Sequence, residues 1–302
     1  MDLKSKIILI YGPTASGKSK FAVKLAKKIS GEIINADSMQ VYKELKVLTA
    51  RPTQKDYQKI KHHLYGALSV KKNFSTGDWL KLVNKKIINC KKRKKTPILV
   101  GGTGLYFKAL TEGLVNIPNI PIRLREKVRS LHKRIGQKKF FYKLIKLDPV
   151  SKNHLCLSDT QRVIRAYEIK SHTKKSMYDW FRSTKSNYEE GDFYKIYIDF
   201  PRSDLLKKIR ERSEEMIKKG AIPEVKRFMR LKVPSKKSSS KAIGVKEIKE
   251  YLNKKIEIED LIEKISIKTR QYAKRQSTWG RGNMSNWNKL NPNSLNKFLK
   301  KI

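Results

Sequence analysis

Eight consecutive residues, Gly12-Pro13-Thr14-Ala15-Ser16-Gly17-Lys18-Ser19, carry the clearest chemical signal in this chain. An apolar run, Ile7-Ile8-Leu9-Ile10-Tyr11, precedes them, and a helix-like run from Phe21 to Ile29 follows. Strand, glycine-bounded loop and helix in that order are the setting in which a G-x-x-x-x-G-K-[ST] pattern cradles phosphate. Gly12 and Gly17 let the backbone turn so that successive N–H groups face one anion. The helix opening near Lys18 adds its N-terminal dipole, and Lys18 adds a full charge. Ser19 is placed to hold a Mg²⁺ ion through its hydroxyl. The loop is therefore expected to bind a di- or triphosphate, the alternative being a glycine-rich turn.

Other candidates lie at the ends of strand-like segments, where open α/β sheets place their ligands. Glu32-Ile33-Ile34-Asn35-Ala36 ends at Asp37 and Ser38. A carboxylate there reaches a phosphate on the loop and can bind Mg²⁺ or take a proton from an incoming nucleophile; otherwise it caps a helix. Pro97-Ile98-Leu99-Val100 runs into Gly101-Gly102-Thr103-Gly104, which lets a second backbone approach the ligand and offers one hydroxyl. A P-loop nucleotide or small-molecule kinase, the alternative function, would carry an Asp at this strand end to hold Mg²⁺. Asp199, after Tyr194–Phe200, is a possible substitute, or a turn residue. Arg212, in a helix-like run downstream, can clamp a phosphate bidentately or remain a solvated helix charge. Gln161-Arg162-Val163-Ile164-Arg165 places two arginines three residues apart on one helix face, suited to a polyanion or to solvent.

The elements that must position these groups read as an α/β fold. Strand-like and helix-like segments alternate over the first hundred residues, with a helix expected from an N-cap at Thr76 through Lys92 and a short strand at His63–Leu68. From Pro118 to Gly191 strand signals nearly vanish and helical periodicity dominates, in Arg125–His132, Lys138–Leu147 and Asp159–Lys170. The α/β character returns at Tyr194. Helices are expected at Ser203–Lys219, Ile222–Leu231 and Ile258–Thr278. Ser235–Lys241 reads as a mobile or anion-binding loop. The expected architecture is a P-loop-type parallel sheet core, residues 1–122 and 192–302, with a mostly helical insertion domain at 123–191.

Charge is the outlier in composition: 71 Lys and Arg against 27 Asp and Glu give a net +44. Such a field attracts polyanions and points to a nucleic-acid partner, although part of it is Lys bias, as in Lys91-Lys92-Arg93-Lys94-Lys95. No apolar run approaches the length of a membrane span, and the first strand begins too early for a signal peptide. A cytoplasmic protein is expected, without an obligate protein partner and monomeric. Cys90 and Cys156 lack paired spacing and read as reduced, buried small hydrophobes; the five histidines show no metal spacing.

Taken together, the motifs resemble those of the tRNA dimethylallyltransferases, enzymes that prenylate N6 of the adenosine just 3′ of the anticodon. The resembling segments are Gly12–Ser19, Asn35-Ala36-Asp37-Ser38-Met39-Gln40-Val41-Tyr42, Thr49-Ala50-Arg51-Pro52-Thr53 and His62-His63-Leu64. They continue through Pro97–Tyr106, Asp159–Ala166, Lys241-Ala242-Ile243-Gly244 and Thr269–Trp279, in the family's order and over nearly the whole chain. The resemblance implies that the loop takes the pyrophosphate of dimethylallyl diphosphate rather than ATP. It implies that Mg²⁺, Lys18 and Arg212 neutralise the departing diphosphate, that Asp37 accepts the N6 proton, and that Thr103 lies close to the adenine or leaving group. It further implies that Asp37, Ser38, Met39, Gln40, Thr103, the arginine that begins the insertion (Arg125, with Arg123 the alternative) and the run Gln161, Arg162, Val163, Ile164, Arg165 contact tRNA. The target base would be flipped out of its stack to meet the donor.

Departures from the family pattern are Arg51 in place of a lysine, Val245 in place of a tyrosine after Gly244, and Lys174 in place of a glycine after Thr173. Gly280-Arg281-Gly282-Asn283 follows Trp279 with no zinc-finger extension, which fits the bacterial type better than the eukaryotic.

Overall fold

The computed structural model describes residues 3–302. The chain forms two compact units, Met1–Ala109 with Tyr188–Ile302, and Leu110–Asn187. The insertion thus begins earlier than the expected residue 123, because Ile117 and Ile120 pack into its core.

The first unit contains β1 (Ile7–Tyr11), α1 (Lys18–Lys28), β2 (Gly31–Asn35), α2 (Gln54–Tyr57), β3 (His62–His63), α3 (Thr76–Lys92) and β4 (Thr96–Gly101), and begins α4 (Gly104–Thr111). The insertion holds α5 (Ile122–Leu147), α6 (Thr160–Thr173) and α7 (Met177–Arg182). The first unit resumes with β5 (Phe193–Ile198), α8 (Arg202–Lys218), α9 (Ala221–Arg230), α10 (Val245–Leu252), α11 (Ile258–Asn283), β6 (Asn288–Leu290) and α12 (Ser294–Lys300).

All six strands are parallel, in the order β3-β2-β4-β1-β5-β6. Every residue of β1 is buried, because the strand lies between β4 and β5 and has helices over its faces. That is why its sequence reads as a continuous apolar run and not an alternating one. Phe21, Leu25 and Ala26 of α1 pack against Ile8, Ile10 and Ile98. A second core gathers residues 41–48 with α8, α9, α10 and α11. There the buried Glu224 carboxylate accepts the backbone N–H groups of Lys46, Val47 and Leu48 at 2.8, 2.8 and 3.0 Å, tying an irregular segment to α9.

Several local expectations are corrected. The His63–Leu68 strand stops after His63, since Leu64 and Gly66 take positive φ of 64° and 59°, leaving Leu68 only an isolated bridge to Tyr42. The cap of α3 is Ser75, not Thr76: Ser75 accepts from the Asp78 N–H while Asp78 accepts from the Ser75 N–H, a reciprocal capping box. The Ser235–Lys241 loop is tethered by Ser239, whose buried hydroxyl donates to the Val70 carbonyl, and by Lys237, which donates to Asn73. The two helices expected across residues 125–147 run as one element broken at Gly136, with φ 77° and ψ 165°. Cys90 is buried, but Cys156 is exposed, in the turns between α5 and α6.

The insertion has its own core of Val128, Phe140, Leu144, Val163, Ile164 and Ile169, joined by Met177 of α7. Among the described residues no helix is long and apolar enough to cross a membrane.

Candidate active site

The loop after β1 folds as its sequence demands. Gly17 takes φ +79° and Ala15 φ +62°, left-handed conformations that turn successive N–H groups toward one concavity. Gly17 supplies its share without side-chain strain. Lys18 opens α1 and curls back, donating through Nζ to the Pro13 carbonyl at 3.0 Å. Burial pulls its ammonium down to about 8, with Asp37 pushing the other way and Arg212 adding to the drop. The Ser16 hydroxyl is buried in the same loop without a hydrogen-bond partner.

Asp37 is brought to this loop by the end of β2. Beyond the strand the ladder continues: the Ala36 N–H donates to Val100, and the Thr103 N–H donates to Ala36. Fully buried Asn35 shapes the turn, its Oδ1 accepting from the Asp37 N–H and its Nδ2 donating to the carbonyls of Asp37 and Leu64. Asp37 Oδ1 then accepts the backbone N–H groups of Met39 (2.8 Å) and Gln40 (3.3 Å). Among the described residues no hydrogen bond falls on Oδ2. The turn fixes the carboxylate through one oxygen and leaves the other available.

Arg212 comes from α8, and burial lowers its guanidinium value against the pull of Asp37 and Glu215. Lys18, Asp37 and Arg212 thus sense one another's charge. Yet no ion pair within 4.0 Å joins Asp37 to either cation among the described residues. The same carboxylate also raises the phenols of buried Tyr106 and half-buried Tyr65 and Tyr272, after desolvation, which is the larger cause in each case.

Thr103 links the two strand ends. Its Oγ1 accepts from the Ser38 N–H at 3.0 Å and donates to the Ser38 hydroxyl at 3.3 Å. Gln40 donates to the Thr49 and Ala50 carbonyls, holding the next loop in place. Met39 packs partly against the second core.

Two residues without an assigned role in the sequence organise this site. Gln276 of α11, 4% exposed, accepts the Thr14 N–H at 2.9 Å and donates to the Gly102 carbonyl at 2.8 Å. It therefore spans the phosphate loop and the turn after β4. Tyr11 donates to the Gln276 carbonyl at 2.7 Å, securing the helix from below. A Cβ on Gly102 would lie 2.0 Å from Gln276 Nε2, so the glycine admits this strut and not, as expected, only a ligand. Gln276 and Tyr272 are four residues apart on one helix, a spacing that carries no chemical signature until the helix is docked.

In the insertion, Gln161 and Arg162 are exposed, and Arg162 sits 3.4 Å from Asp159. Val163 and Ile164 are 0% and 8% exposed and face the insertion core. Of the run 161–165, therefore, only Gln161, Arg162 and Arg165 present side chains outward. Arg165 and Arg125 both approach the buried carboxylate of Glu168.

A second titratable cluster lies away from the loop. Glu32, His63 and Cys90 are buried with their polar atoms within 4.8 Å of one another. Glu32 Oε2 meets His63 Nε2 at 2.7 Å, Cys90 Sγ at 3.4 Å and Arg93 at 2.6 Å. Burial pushes the Glu32 carboxyl up, but these hydrogen bonds outweigh it and leave it below 4.5. Burial also holds His63 below 6.5 and pushes the Cys90 thiol up to about 12. The cluster is a carboxylate surrounded by donors.

The model of the IPP transferase family matches residues 40–283. The tRNA dimethylallyltransferase of Pelagibacter ubique is 58% identical over 302 residues, covering all of this chain and 96% of the relative. That of Rickettsia massiliae is 43% identical over 277 residues, 91% of this chain and 76% of the relative. Among solved structures, the tRNA isopentenylpyrophosphate transferase of Staphylococcus epidermidis aligns with a TM-score of 0.69 at 33% identity, over 98% of this chain and 96% of that one. A eukaryotic dimethylallyltransferase acting on tRNA aligns with a TM-score of 0.81 at 28% identity, over 95% and 74%. The chain belongs to the IPP transferase family, among the tRNA dimethylallyltransferases.

Proposed function

We propose that this chain moves a dimethylallyl group from dimethylallyl diphosphate to N6 of adenosine 37, next to the anticodon, in tRNAs reading codons that begin with U. The observation that carries the reading is Asp37, fixed through one oxygen with the other unbonded, near the cations Lys18 and Arg212, with which it forms no ion pair among the described residues.

The loop N–H groups of Ala15 and Gly17–Ser19, with Lys18 and Arg212, take the diphosphate, and their fixed positive potential favours its departure as negative charge grows on it. The adenine N6 amine is a poor nucleophile because its lone pair is delocalised into the ring. The allylic C1 of the donor compensates by spreading developing positive charge along its double bond. N6 bonds to C1 as the C1–oxygen bond breaks, diphosphate leaves, and the N6 proton passes to the free oxygen of Asp37. Thr103, held by Ser38, orients the base. The donor set fits Mg²⁺: the Ser19 hydroxyl and the diphosphate oxygens are hard ligands, and Ser16 leaves a buried hydroxyl unpartnered in the same loop. When bound, Mg²⁺ supplies further neutralisation of the leaving diphosphate.

Ser38, Met39 and Gln40 at the end of β2, together with Arg125, Gln161, Arg162 and Arg165 on the insertion, are the proposed tRNA contacts, with the Lys-rich surface adding salt-dependent affinity. The test is transfer of labelled dimethylallyl from its diphosphate to unmodified tRNA carrying A36-A37-A38, with Mg²⁺ and no ATP. Label on N6 of A37 is expected. ATP turnover without labelled tRNA would overturn the reading.

A further inference from the structure

Glu168 is the least explained charge in the molecule. It sits on α6 with 1% exposure, in a chain that carries few acidic residues. Three arginines surround it: Arg125 Nε at 3.7 Å and Arg129 Nε at 3.4 Å from α5, and Arg165 NH1 at 3.2 Å from its own helix. Arg125 and Arg129 are one turn apart on α5, so three guanidiniums from two helices converge on one carboxylate.

The pairing is poor as stability devices go. Of the three contacts only Arg165 makes a hydrogen bond to Glu168. Glu168 Oε1 and Arg125 Nε are both buried without a hydrogen-bond partner. A buried carboxylate kept for stability would be expected to have both oxygens hydrogen-bonded, as Glu224 does. The arginine side chains stay 43%, 57% and 41% exposed, so their remaining N–H donors reach solvent. Three positive groups against one negative leave an excess of two. Without the carboxylate, like charges this close would repel and splay. With it, they stand as one preassembled group. Forked guanidinium donors match the oxygens of phosphate, and holding them in advance lowers the ordering cost of binding.

We propose that Glu168 is a positioning residue for RNA: it assembles Arg125, Arg129 and Arg165 into a single phosphate-binding cluster on the insertion. This adds Arg129 and Glu168 to the tRNA contacts and rests on the tRNA reading given above.

Glu168→Gln separates positioning from bulk charge, because it makes the chain more positive by one. If charge alone governs binding, the variant should bind an anticodon stem-loop RNA more tightly. Positioning requires the reverse: about 5- to 30-fold weaker binding by the full chain, a KM for tRNA raised by a similar factor, and kcat and the KM for dimethylallyl diphosphate unchanged. Equal or tighter RNA binding overturns the proposal. Because Glu168 is buried and its loss can loosen the insertion, Arg129→Gln is the companion variant, on an exposed side chain. It should weaken the same RNA about 3- to 10-fold and lower the salt slope of binding by roughly one contact. Binding and slope unchanged in Arg129→Gln overturn the proposal whatever Glu168→Gln does. Direct RNA binding is read separately from transfer, so a wild-type chain that binds the stem-loop but transfers no label would count against the proposed reaction and leave the cluster standing.

Discussion

Two carboxylates five residues apart, Glu32 inside β2 and Asp37 just past its end, show how position along one strand decides what a charge is for. Glu32 lies in the body of the sheet and is met by His63, Cys90 and Arg93 on a single oxygen. Asp37 emerges where the strands stop, spends one oxygen on two backbone N–H groups, and keeps the other free near two cations it does not pair with. The first charge is closed and structural. The second is held in place but unspent, which is what a group needs if it is to take a proton or face an incoming substrate.

The largest expected effect breaks the open charge. Asp37→Ala should lower kcat for prenyl transfer by ~10²–10⁴-fold, the range of a lost general base, while tRNA binding is largely kept. Single-turnover transfer and RNA binding on the same preparation check this; parallel loss of both would assign Asp37 to binding and not to proton transfer. Next comes the strut that keeps the site in register. Gln276→Met preserves volume but leaves the Thr14 N–H and Gly102 carbonyl unmet. Small misplacements of a reacting centre cost about 10²-fold, so kcat/KM for dimethylallyl diphosphate should fall between tenfold and that limit. Unchanged kinetics would show that the two loops hold their places without α11.

Why Asp37 was legible in the sequence and Gln276 was not follows from the same geometry. The phosphate loop is local: every group that makes it lies within eight residues, so types and spacing suffice. Asp37 is also local to a strand end, and a strand end can be placed from an apolar run. Gln276 acts on two loops at once, across 262 residues to one and 174 to the other, so the motif around it, Thr269–Trp279, gives its side chain no role until the helix is docked. Glu32–His63–Cys90 escaped for the same reason, its members brought together by β2, β3 and α3. Val163 and Ile164 show the converse error. Their run was read by motif, but the helical period turns them inward between exposed Arg162 and half-exposed Arg165.

Closing the comparison from the other side requires Glu32→Gln, which should leave transfer by the folded enzyme intact and reduce stability by about 1–3 kcal/mol, the usual range for a buried hydrogen-bonded group losing its match. The pH dependence has a definite sign. Glu32 titrates lower folded than unfolded, so its contribution is complete above the ordinary value of 4.5 and is lost as pH falls through the lower folded value. Denaturant unfolding at pH 7 and pH 4 should therefore show the wild-type advantage shrinking in acid. A gap that grew on acidification would mean that Glu32 is protonated in the native state.

The smallest effect belongs to charges that are neither open nor closed. Lys91, Lys92, Lys94 and Lys95 are exposed around the C-terminus of α3, while Arg93 among them is committed to Glu32. Replacing the four lysines by glutamine, with Arg93 retained, removes four positive charges from a chain of net +44. Solvated charges act through the general field, which salt screens over about 10 Å at 0.1 M. At low salt tRNA should bind a few-fold more weakly, the difference fading at higher salt, with kcat untouched. Glu168→Gln, one charge in the opposite direction, is expected to cost more than these four together. A lysine variant that lost affinity more steeply than Glu168→Gln would show that bulk charge, and not the arrangement of a few held groups, dominates recognition.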